Sequence, residues 1–444
     1  MYLVYSTLLA LGSLLSLPYW ALQALWHGKY RAGLSERLGK VPQRLADESA
    51  RPVIWVHAVS VGELMAVGGL VAELKHNFPR HRMVVSTTTD TGQQLARARF
   101  GEENVFYFPL DFAFAVKPYL RSLRPELVVI AETEFWPNFL RLAGASGARI
   151  AIVNARISDR SWPGYRTWRR ILARVLHPVD LFLAQTEEDS ERLVAIGAPA
   201  NRVQVSGNLK FDIAPATPPP IIADLRNALQ KGGGRPVIVC GSTVEGEEEL
   251  LLEAFNLILA RFPGAVMILA PRHPQRFDPV ARILTKRGVP FWRRSQWLGQ
   301  ALVGGVLLAD SMGELAHLYS LGDVAFVGGS LVPRGGHNIL EPAQYGVAIV
   351  VGVHTENFRD VVNLFERNSA VRRVESTELP LVLLELISSE EQRRSLGSRA
   401  SQIVRAQMGV TQRTVKALED LLEPPSSGAR QSSNPGREGG RATP

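Results

Sequence analysis

Short apolar runs rich in β-branched residues alternate with longer amphipathic segments between residues 53 and 213. The apolar runs predict buried strands at residues 53–58, 83–87, 127–131, 150–153 and 181–184. The segments between them, such as 63–78 and 187–196, have the spacing of helices. Strands and helices that alternate in this way indicate βαβ units and a parallel sheet that is covered on both faces.

The pattern breaks at the proline-rich stretch 214–220 and the glycine-rich stretch 231–236, and a second series of strands follows. These strands are predicted at 237–240, 265–270, 306–309, 324–327 and 348–351. The sequence therefore predicts an α/β protein with two doubly wound, Rossmann-like domains, 27–213 and 236–423, joined by a linker at 214–235. Because ligands of such folds bind at the carboxyl ends of strands, the expected site is the cleft between the domains.

Residues 1–26 are mostly apolar, with aromatic residues towards both ends of the run. About 20 such residues cross a bilayer as a helix, so this segment is predicted to be a membrane anchor. Gly12, Pro18 and three serines dilute the run, which leaves a buried or interfacial helix as the alternative. The positive-inside rule predicts a cytoplasmic body, because five cations follow the run: Lys29, Arg31, Arg37, Lys40 and Arg44.

The 444-residue chain has a formal net charge of +8, and this charge is unevenly distributed. Residues 27–213 contain 25 Lys and Arg against 19 Asp and Glu, a net +6, whereas residues 214–423 contain 22 of each. The first predicted domain is therefore expected to meet an anionic partner. The tail 424–444 carries 3 Arg and 1 Glu among Pro, Gly and Ser, and this composition predicts disorder.

Several classes of protein are disfavoured by what the sequence lacks. Cys240 is the single cysteine, so neither a disulfide framework nor a cysteine-based zinc site is expected. The nine histidines have no metal-ligand spacing, and no metal is predicted. The chain has no P-loop and no G-x-G-x-x-G after the first strand, which argues against P-loop and dinucleotide-binding proteins. It also has no D-x-D motif that would anchor a metal-bridged diphosphate donor.

Acidic residues follow two of the strands predicted in the first domain. Ser60-x-x-Glu63 has the spacing of a capping box, and this local pattern favours a helix cap over a general base for Glu63. His57 is expected to be a packed strand residue. Glu132 and Glu134 come directly after a buried strand and would face the same way if that strand continued, although a solvated loop is an equal alternative.

The stretch 154–174 contains six arginines with Trp162, Tyr165 and Trp168 interleaved. Arginine pairs with phosphate and aromatic rings suit a membrane interface, but nucleic acid or a simple solvated basic face would also fit. Further along, Lys210 lies just before the predicted linker and is a weak candidate when taken alone.

The spacing of a capping box occurs twice in the second predicted domain. Ser242-x-x-Glu245 and Ser311-x-x-Glu314 both follow strands, and helix N-termini formed there would be anion sites. A loop with five glycines around Arg334, within residues 327–346, would let a ligand lie close to the backbone. Glu341 follows this loop and could accept hydrogen bonds from sugar hydroxyls. The alternative for this loop is a purely structural connection.

Seven motifs, in order between residues 57 and 342, closely resemble those of the bacterial Kdo transferase family. That family attaches 3-deoxy-D-manno-octulosonic acid (Kdo) to lipid A precursors in lipopolysaccharide biosynthesis. The resemblance implies a GT-B architecture, CMP-Kdo as the donor, lipid IVA (a bisphosphorylated glycolipid) as the acceptor, no cofactor, and a location at the cytoplasmic face of the inner membrane. The motifs are HAVSVGE, ETEFWPN, NARIS, GNLKFD, APRHPQRF, SMGELAHLY and GGSLVPRGGHNILEP.

The resemblance also implies roles for individual residues. The family's catalytic carboxylate matches Glu63, which reverses the local preference for a helix cap, and its supporting residues match Glu132 and Lys210. The implied reaction is a direct inverting displacement without a metal, in which Glu63 takes a proton from an acceptor hydroxyl. The nucleotide-contacting positions match Pro271, Arg272, Met312, Gly313, Glu314, Asn338, Ile339, Leu340 and Glu341.

Two other functions stay open. One is a different GT-B transferase, or an epimerase, that uses a UDP-sugar. The other is a membrane-tethered protein that binds nucleic acid through the Arg-rich stretch, whereas the family resemblance predicts no nucleic-acid partner.

Overall fold

The computed structural model describes residues 1–27, 33–45, 51–212 and 217–423. The predicted disordered tail, the cations Lys29 and Arg31, and the first residues of the predicted linker lie outside these ranges. The described chain forms two compact bodies. The first body comprises the residues up to Leu209 and the segment from Val410, and the second body comprises Lys210–Gly409.

The first body contains a seven-stranded sheet in which every neighbouring pair is parallel. Its strand order is β3-β2-β1-β4-β5-β6-β7. All five predicted strands are confirmed, and two three-residue edge strands, β3 and β7, were not predicted. The strands are β1 Val53–His57, β2 Arg82–Thr87, β3 Val105–Tyr107, β4 Pro125–Ala131, β5 Arg149–Ala155, β6 Leu181–Ala184 and β7 Val203–Val205.

Helices cover both faces of this sheet, as the continuous apolar strands require. The helices up to residue 195 are α1 Tyr2–His27, α2 Leu34–Arg37, α3 Val61–Asn77, α4 Asp90–Phe100, α5 Ala113–Leu123, α6 Pro137–Ala145, α7 Trp162–Thr167, α8 Arg169–Leu176 and α9 Glu187–Ala195. One core lies under α5, α6 and α8, and another lies under α3 and α4.

The second body contains a second parallel sheet of seven strands, in the order β10-β11-β9-β8-β12-β13-β14. The five predicted strands are again confirmed, with two short edge strands in addition. The strands are β8 Val237–Thr243, β9 Val266–Pro271, β10 Phe291–Arg293, β11 Gly305–Leu308, β12 Val324–Val327, β13 Ala348–Val351 and β14 Arg372–Arg373. The remaining helices are α10 Ile221–Gly232, α11 Glu247–Arg261, α12 Phe277–Lys286, α13 Leu315–Leu318, α14 Leu340–Ala343, α15 Arg359–Arg367, α16 Leu379–Ser388, α17 Glu390–Gln407 and α18 Val410–Leu422.

The structure divides the chain differently from the sequence-based boundaries, beginning with residues 210–212, which were assigned to the first domain but belong to the second body. Residues 221–232, assigned to the linker, form α10, which buries Ile222 and Leu225 in the core of the second body. The last helix, α18, was assigned to the second domain but buries Val415 and Leu418 in the core of the first body, where it packs on α3. Each helix belongs to the body whose apolar core it covers. The order of segments along the chain does not reveal which body that is.

Each sheet has a point at which the direction of chain progression reverses. In the first sheet this point lies between β1 and β4, since the chain continues from β1 to β2 on one side and from β4 to β5 on the other. In the second sheet it lies between β8 and β12. The carboxyl ends of strands at such switch points are where open α/β sheets bind ligands.

The sequence predicts a membrane anchor at residues 1–26, and the structure forms α1 there. The first turns of α1 pack on the first body: the Tyr2 hydroxyl donates to the Arg174 carbonyl at 3.2 Å, and the Asn138 amide donates to Ser6 Oγ at 3.0 Å. Among the described helices, none has the combination of length and hydropathy that crossing a membrane requires.

Phe139 is fully buried, and its ring meets that of Trp55 on β1 edge-on, with the ring centroids 5.0 Å apart. Phe139→Ala should lower the free energy of unfolding by about 3–5 kcal/mol through lost burial and the cavity left behind. The control is Phe114→Ala on neighbouring α5, since Phe114 is 61% exposed and its removal should cost less than about 1 kcal/mol. Urea denaturation followed by tryptophan fluorescence measures both, and equal losses would contradict the packing argument.

Candidate active site

Glu63 is held at the start of α3, directly after β1, by a helix cap. Ser60 is the N-cap residue, and its Oγ accepts the backbone N–H of Glu63 at 3.3 Å. In return the Ser60 hydroxyl donates to Glu63 Oε1 at 2.9 Å, and the Val59 N–H donates to Oε2 at 2.7 Å. The predicted cap is therefore present, and it fixes the orientation of a carboxylate at the switch point of the first sheet.

The same carboxylate is suited to proton transfer. Burial raises the pKa of Glu63 to about 7; the hydrogen bond from Val59 and that from Ser60 oppose the rise, while the charges of Glu132 and Glu134 add to it. A carboxyl group with this pKa is a competent proton acceptor near neutral pH. The local sequence presents the cap and the general base as alternatives, whereas the geometry is compatible with both.

Glu132 and Glu134 lie at the end of the adjacent strand, β4. Glu132 has a φ of 56°, in the left-handed region that residues with a side chain rarely adopt, and its N–H donates to the Val153 carbonyl at 2.9 Å. Its carboxylate pairs with Arg156 at 3.6 Å. Burial raises the pKa of Glu134, and the charge of Glu132 raises it further. The two carboxylates and Glu63 thus form one electrostatically coupled group.

The rest of the ETEFWPN motif is anchored by Asp111, which the sequence did not single out. Its carboxylate accepts the first N–H groups of α6, from Asn138 at 3.0 Å and Phe139 at 2.7 Å, and it also accepts the Tyr5 hydroxyl of α1. Burial raises the pKa of Asp111 to about 6, while these donors oppose the rise. Asp111 therefore ties the helix after the acidic loop both to the body and to α1.

A chain of amides joins the ends of the next strands. Asn154, buried and with a φ of 56°, accepts the Leu209 N–H at 3.0 Å, and Gln185 Nε2 donates to the Asn154 carbonyl at 3.0 Å. Asn208 Nδ2 donates in turn to Gln185 Oε1 at 2.9 Å. This chain fixes the turn that carries Lys210, a half-buried residue and the first of the second body. Polar residues placed directly after apolar strands were the signal that could have identified Asn154 and Gln185.

His57 is a packed strand residue, as expected. It is fully buried, its ring stacks on Phe108 at 3.9 Å, and its Nδ1 lies 2.9 Å from Ser86 Oγ. Burial lowers the pKa of His57 to about 3, so the ring is neutral at physiological pH.

The two capping boxes predicted in the second body do not form. Helix α11 begins only at Glu247, after Gly246, and Ser242 adopts a φ of 54° without capping a helix. The Ser311 hydroxyl donates to Glu314 at 2.6 Å, but Glu314 itself precedes the single turn of α13 and no side chain caps that turn. The spacing was satisfied in both cases, but the chain turns into a helix later than the pattern predicts.

The backbone of the glycine-rich loop after β12 is bound by the side chain of Glu247, a residue that the sequence did not single out. This fully buried carboxylate accepts the N–H groups of Gly329, Ser330 and Leu331, at 2.8, 2.9 and 2.9 Å. Gly329 has a φ of 70°, and a Cβ there would lie 2.8 Å from the His337 ring, so glycine is required at this position.

Three of the predicted nucleotide-contacting residues lie close enough to interact. Burial raises the pKa of Glu341, and the positive charge of Arg272, which follows β9, opposes that rise. Burial lowers the pKa of His337 to about 4, and the charge of Arg272 lowers it further. Asn338 Nδ2 donates to Glu341 at 3.4 Å, and the Leu340 N–H donates to Asn338 Oδ1 at 3.1 Å. The exposed Arg272 side chain thus sits beside polar groups that can receive a ligand.

The other residues predicted to contact the nucleotide differ in which of their groups a ligand could reach. The side chains of Pro271, Ile339 and Leu340 are buried in the core, which leaves only their backbone for a ligand. Met312 is largely exposed, Gly313 has a φ of 83°, and Glu314 is already paired with Arg294 at 2.7 Å. Helix α13, which follows this loop, is linked to the segment after α14 by the Tyr345 hydroxyl, 3.3 Å from His317 Nδ1. No three His, Cys, Asp or Glu side chains within the described ranges are grouped as metal ligands.

Comparisons with known proteins bear on the family and on the fold. A family model described as 3-deoxy-D-manno-octulosonic-acid transferase (kdotransferase) matches residues 32–213. The structure of Acinetobacter baumannii MurG covers 83% of this chain and 99% of its own, at a TM-score of 0.53 and 13% identity, a likeness that concerns the fold alone.

Two curated relatives match nearly the whole chain. The 3-deoxy-D-manno-octulosonic acid transferase of Haemophilus influenzae is 33% identical over 94% of this chain and 98% of its own length. The Bordetella pertussis protein of the same name is 35% identical over 90% of this chain and 95% of its own. The chain therefore belongs to the Kdo transferase family of glycosyltransferases.

Proposed function

We propose that this protein transfers Kdo from CMP-Kdo to lipid IVA by direct inverting displacement. The observation that carries the proposal is the Glu63 carboxylate, fixed by its cap at the switch point of the first sheet and with a pKa raised to about 7. The motif order and the relatives in the Kdo transferase family support the choice of donor and acceptor.

In the proposed step, Glu63 accepts the proton of a primary sugar hydroxyl on the acceptor. The oxygen attacks the anomeric carbon of Kdo as the bond from that carbon to the phosphate oxygen breaks, and CMP leaves with the bonding electron pair. Protonated Glu63 then releases the proton to solvent. Ser60 and Val59 hold the orientation of the carboxylate, while burial, with the added charges of Glu132 and Glu134, keeps it basic enough to receive the proton.

Groups of the second body are proposed to bind the donor. Arg272 offers an exposed cation for the CMP phosphate, and the charge it supplies would stabilise the leaving group. Glu341 would accept hydrogen bonds from sugar hydroxyls, and the Asn338 amide could donate to them or accept from them. The backbone at Gly313 and Ile339 would approach the nucleotide closely. Lys210 is proposed to supply a further positive charge near the reacting groups.

We also propose that the first body rests on the cytoplasmic surface of the inner membrane through α1. One side of α1 packs on the body, whereas Leu3, Leu8 and Leu15 are exposed. Exposed apolar residues beside cations are typical of helices that lie in a membrane interface. The neighbouring helices α7 and α8 supply the cations and contain no acidic residue: Arg166, Arg169, Arg170 and Arg174.

The aromatic residues of the Arg-rich stretch favour a membrane over nucleic acid. Trp162 lies against Arg192 and Tyr165 against Phe135, so each of these rings already has a neighbour within the protein. Only Trp168 is largely exposed. A single exposed ring beside arginines suits a lipid headgroup region better than a polynucleotide, which would need successive stacking platforms.

Replacing the proposed base tests the reaction itself. Glu63→Gln should slow Kdo transfer by about 10²–10⁴-fold, because an amide cannot take the proton, while CMP affinity stays unchanged. The assay combines purified enzyme, CMP-Kdo and lipid IVA and weighs the lipid by mass spectrometry, with UDP as a competitor to test the UDP-sugar alternative. Glu73→Gln on the same helix is the matched control and should turn over normally. Normal turnover by Glu63→Gln would exclude the base assignment.

The pH dependence tests the coupling among the carboxylates. Because the base must be ionised, kcat/KM should rise with pH through about 7. Glu132→Gln removes a negative charge that raises the pKa of Glu63, so the acid limb should move to lower pH. Glu126→Gln, at the start of the same strand and paired with His81, should leave the limb in place. A limb that does not move, or moves upward, in Glu132→Gln would contradict the coupling.

Vesicle binding tests the membrane contact. Changing Leu8 and Leu15, 63% and 81% exposed, to Ser should weaken sedimentation with phosphatidylglycerol vesicles by about tenfold or more, because each leucine loses apolar burial. The control is Leu381→Ser, since Leu381 is 70% exposed but lies on α16 of the second body. Equal loss of binding in both would argue against a role for α1.

A further inference from the structure

Glu247 lies at the switch point of the second sheet and joins the segments that follow β8 and β12. Its Oε2 accepts the Val244 N–H at 3.1 Å and the Gly329 N–H at 2.8 Å. Its Oε1 accepts the N–H groups of Ser330 and Leu331, both at 2.9 Å. One buried carboxylate thereby satisfies four backbone donors from two loops that are more than 80 residues apart in sequence.

The two loops approach each other closely at this contact. A Cβ at Gly328 would lie 2.8 Å from Glu247 Oε2 and 2.5 Å from the Ser242 carbonyl, so the β12 segment passes directly over the carboxylate. Ser330 continues the connection, because its hydroxyl donates to the Val327 carbonyl at 2.6 Å and accepts the Gly352 N–H at 2.8 Å. The loop is fixed at its base before it reaches the residues that face a ligand.

The far side of the loop is folded back onto this base. The Gly336 N–H donates to the Gly329 carbonyl at 2.7 Å, and the neighbouring His337 ring lies against Gly329. Asn338 is the next residue along the chain after His337, and Glu341 lies three residues beyond it. A displacement of Gly329 would therefore be transmitted through one hydrogen bond and one van der Waals contact to the polar groups beside Arg272.

We propose that Glu247 is a positioning residue for the nucleotide site. It holds the loop 328–339 against the end of β8, so that the loop's ligand-facing groups are ordered before the nucleotide binds. This inference rests on the proposed function, because it takes CMP as the ligand of that loop. A loop ordered in advance loses less conformational entropy on binding, so its contribution appears in affinity for the nucleotide.

The test is Glu247→Gln, which preserves size but replaces one accepting oxygen with an NH₂ group that opposes N–H donors. We expect the Kd for CMP, measured by titration calorimetry, and the KM for CMP-Kdo to rise by about tenfold or more, with kcat changed by less than about threefold. Hydrogen exchange at the amides of Gly329, Ser330 and Leu331 should become faster. Glu247→Asp, which keeps the charge but has a shorter reach, carries the same test if the Gln variant does not fold.

The matched control is Glu248→Gln. Glu248 is the next residue of α11, is equally buried, and pairs with Arg276 at 3.1 Å instead of with the loop. It should leave CMP affinity and the exchange of the three loop amides unchanged. Equal loss of affinity in both variants, or unchanged affinity in Glu247→Gln despite faster amide exchange, would overturn the positioning role. Failure of the wild-type protein to bind CMP would instead overturn the proposed function.

Discussion

Burial of carboxylates at the carboxyl edge of a parallel sheet is the constraint on which both candidate sites depend. A buried charge is costly unless hydrogen-bond donors compensate it, and the donors available there are backbone N–H groups of the loops and helix starts that follow the strands. Glu63 accepts one such N–H and a hydroxyl, Asp111 accepts two N–H groups and a hydroxyl, and Glu247 accepts four N–H groups. Each contact fixes a loop by satisfying donors that the fold would otherwise leave unpaired.

The number of donors distinguishes Glu247 from Glu63, the proposed base. The two oxygens of Glu247 are fully engaged by four N–H groups, so this side chain has little capacity for a ligand and acts on the loop above it. Glu63 keeps lone pairs free, and the nearby charges of Glu132 and Glu134 disfavour its ionised form. The same kind of contact thus holds a loop in the second body and orients the proposed proton acceptor in the first.

The sequence predicted the architecture better than the boundaries. The inner strands were identified because each is a continuous apolar run, whereas β14 consists of Arg372 and Arg373 alone and has no detectable periodicity. The placement of α18 could not be predicted, because nothing within residues 410–422 tells which of two apolar sheets the helix covers. Glu247 was missed for a similar reason: its first partner in the loop lies 82 residues further along the chain.

The case of Glu63 shows where local pattern reaches its limit. Ser60-x-x-Glu63 specifies a cap, and the cap forms. Whether a capping carboxylate is also a base depends on its burial and on charges delivered by β4, a strand that begins more than 60 residues later in the chain. Parallel pairing of β1 with β4 brings those charges to the same edge. A capping box at a switch point, beside a strand that is followed directly by acidic residues, is therefore a stronger sign of catalysis than the motif alone.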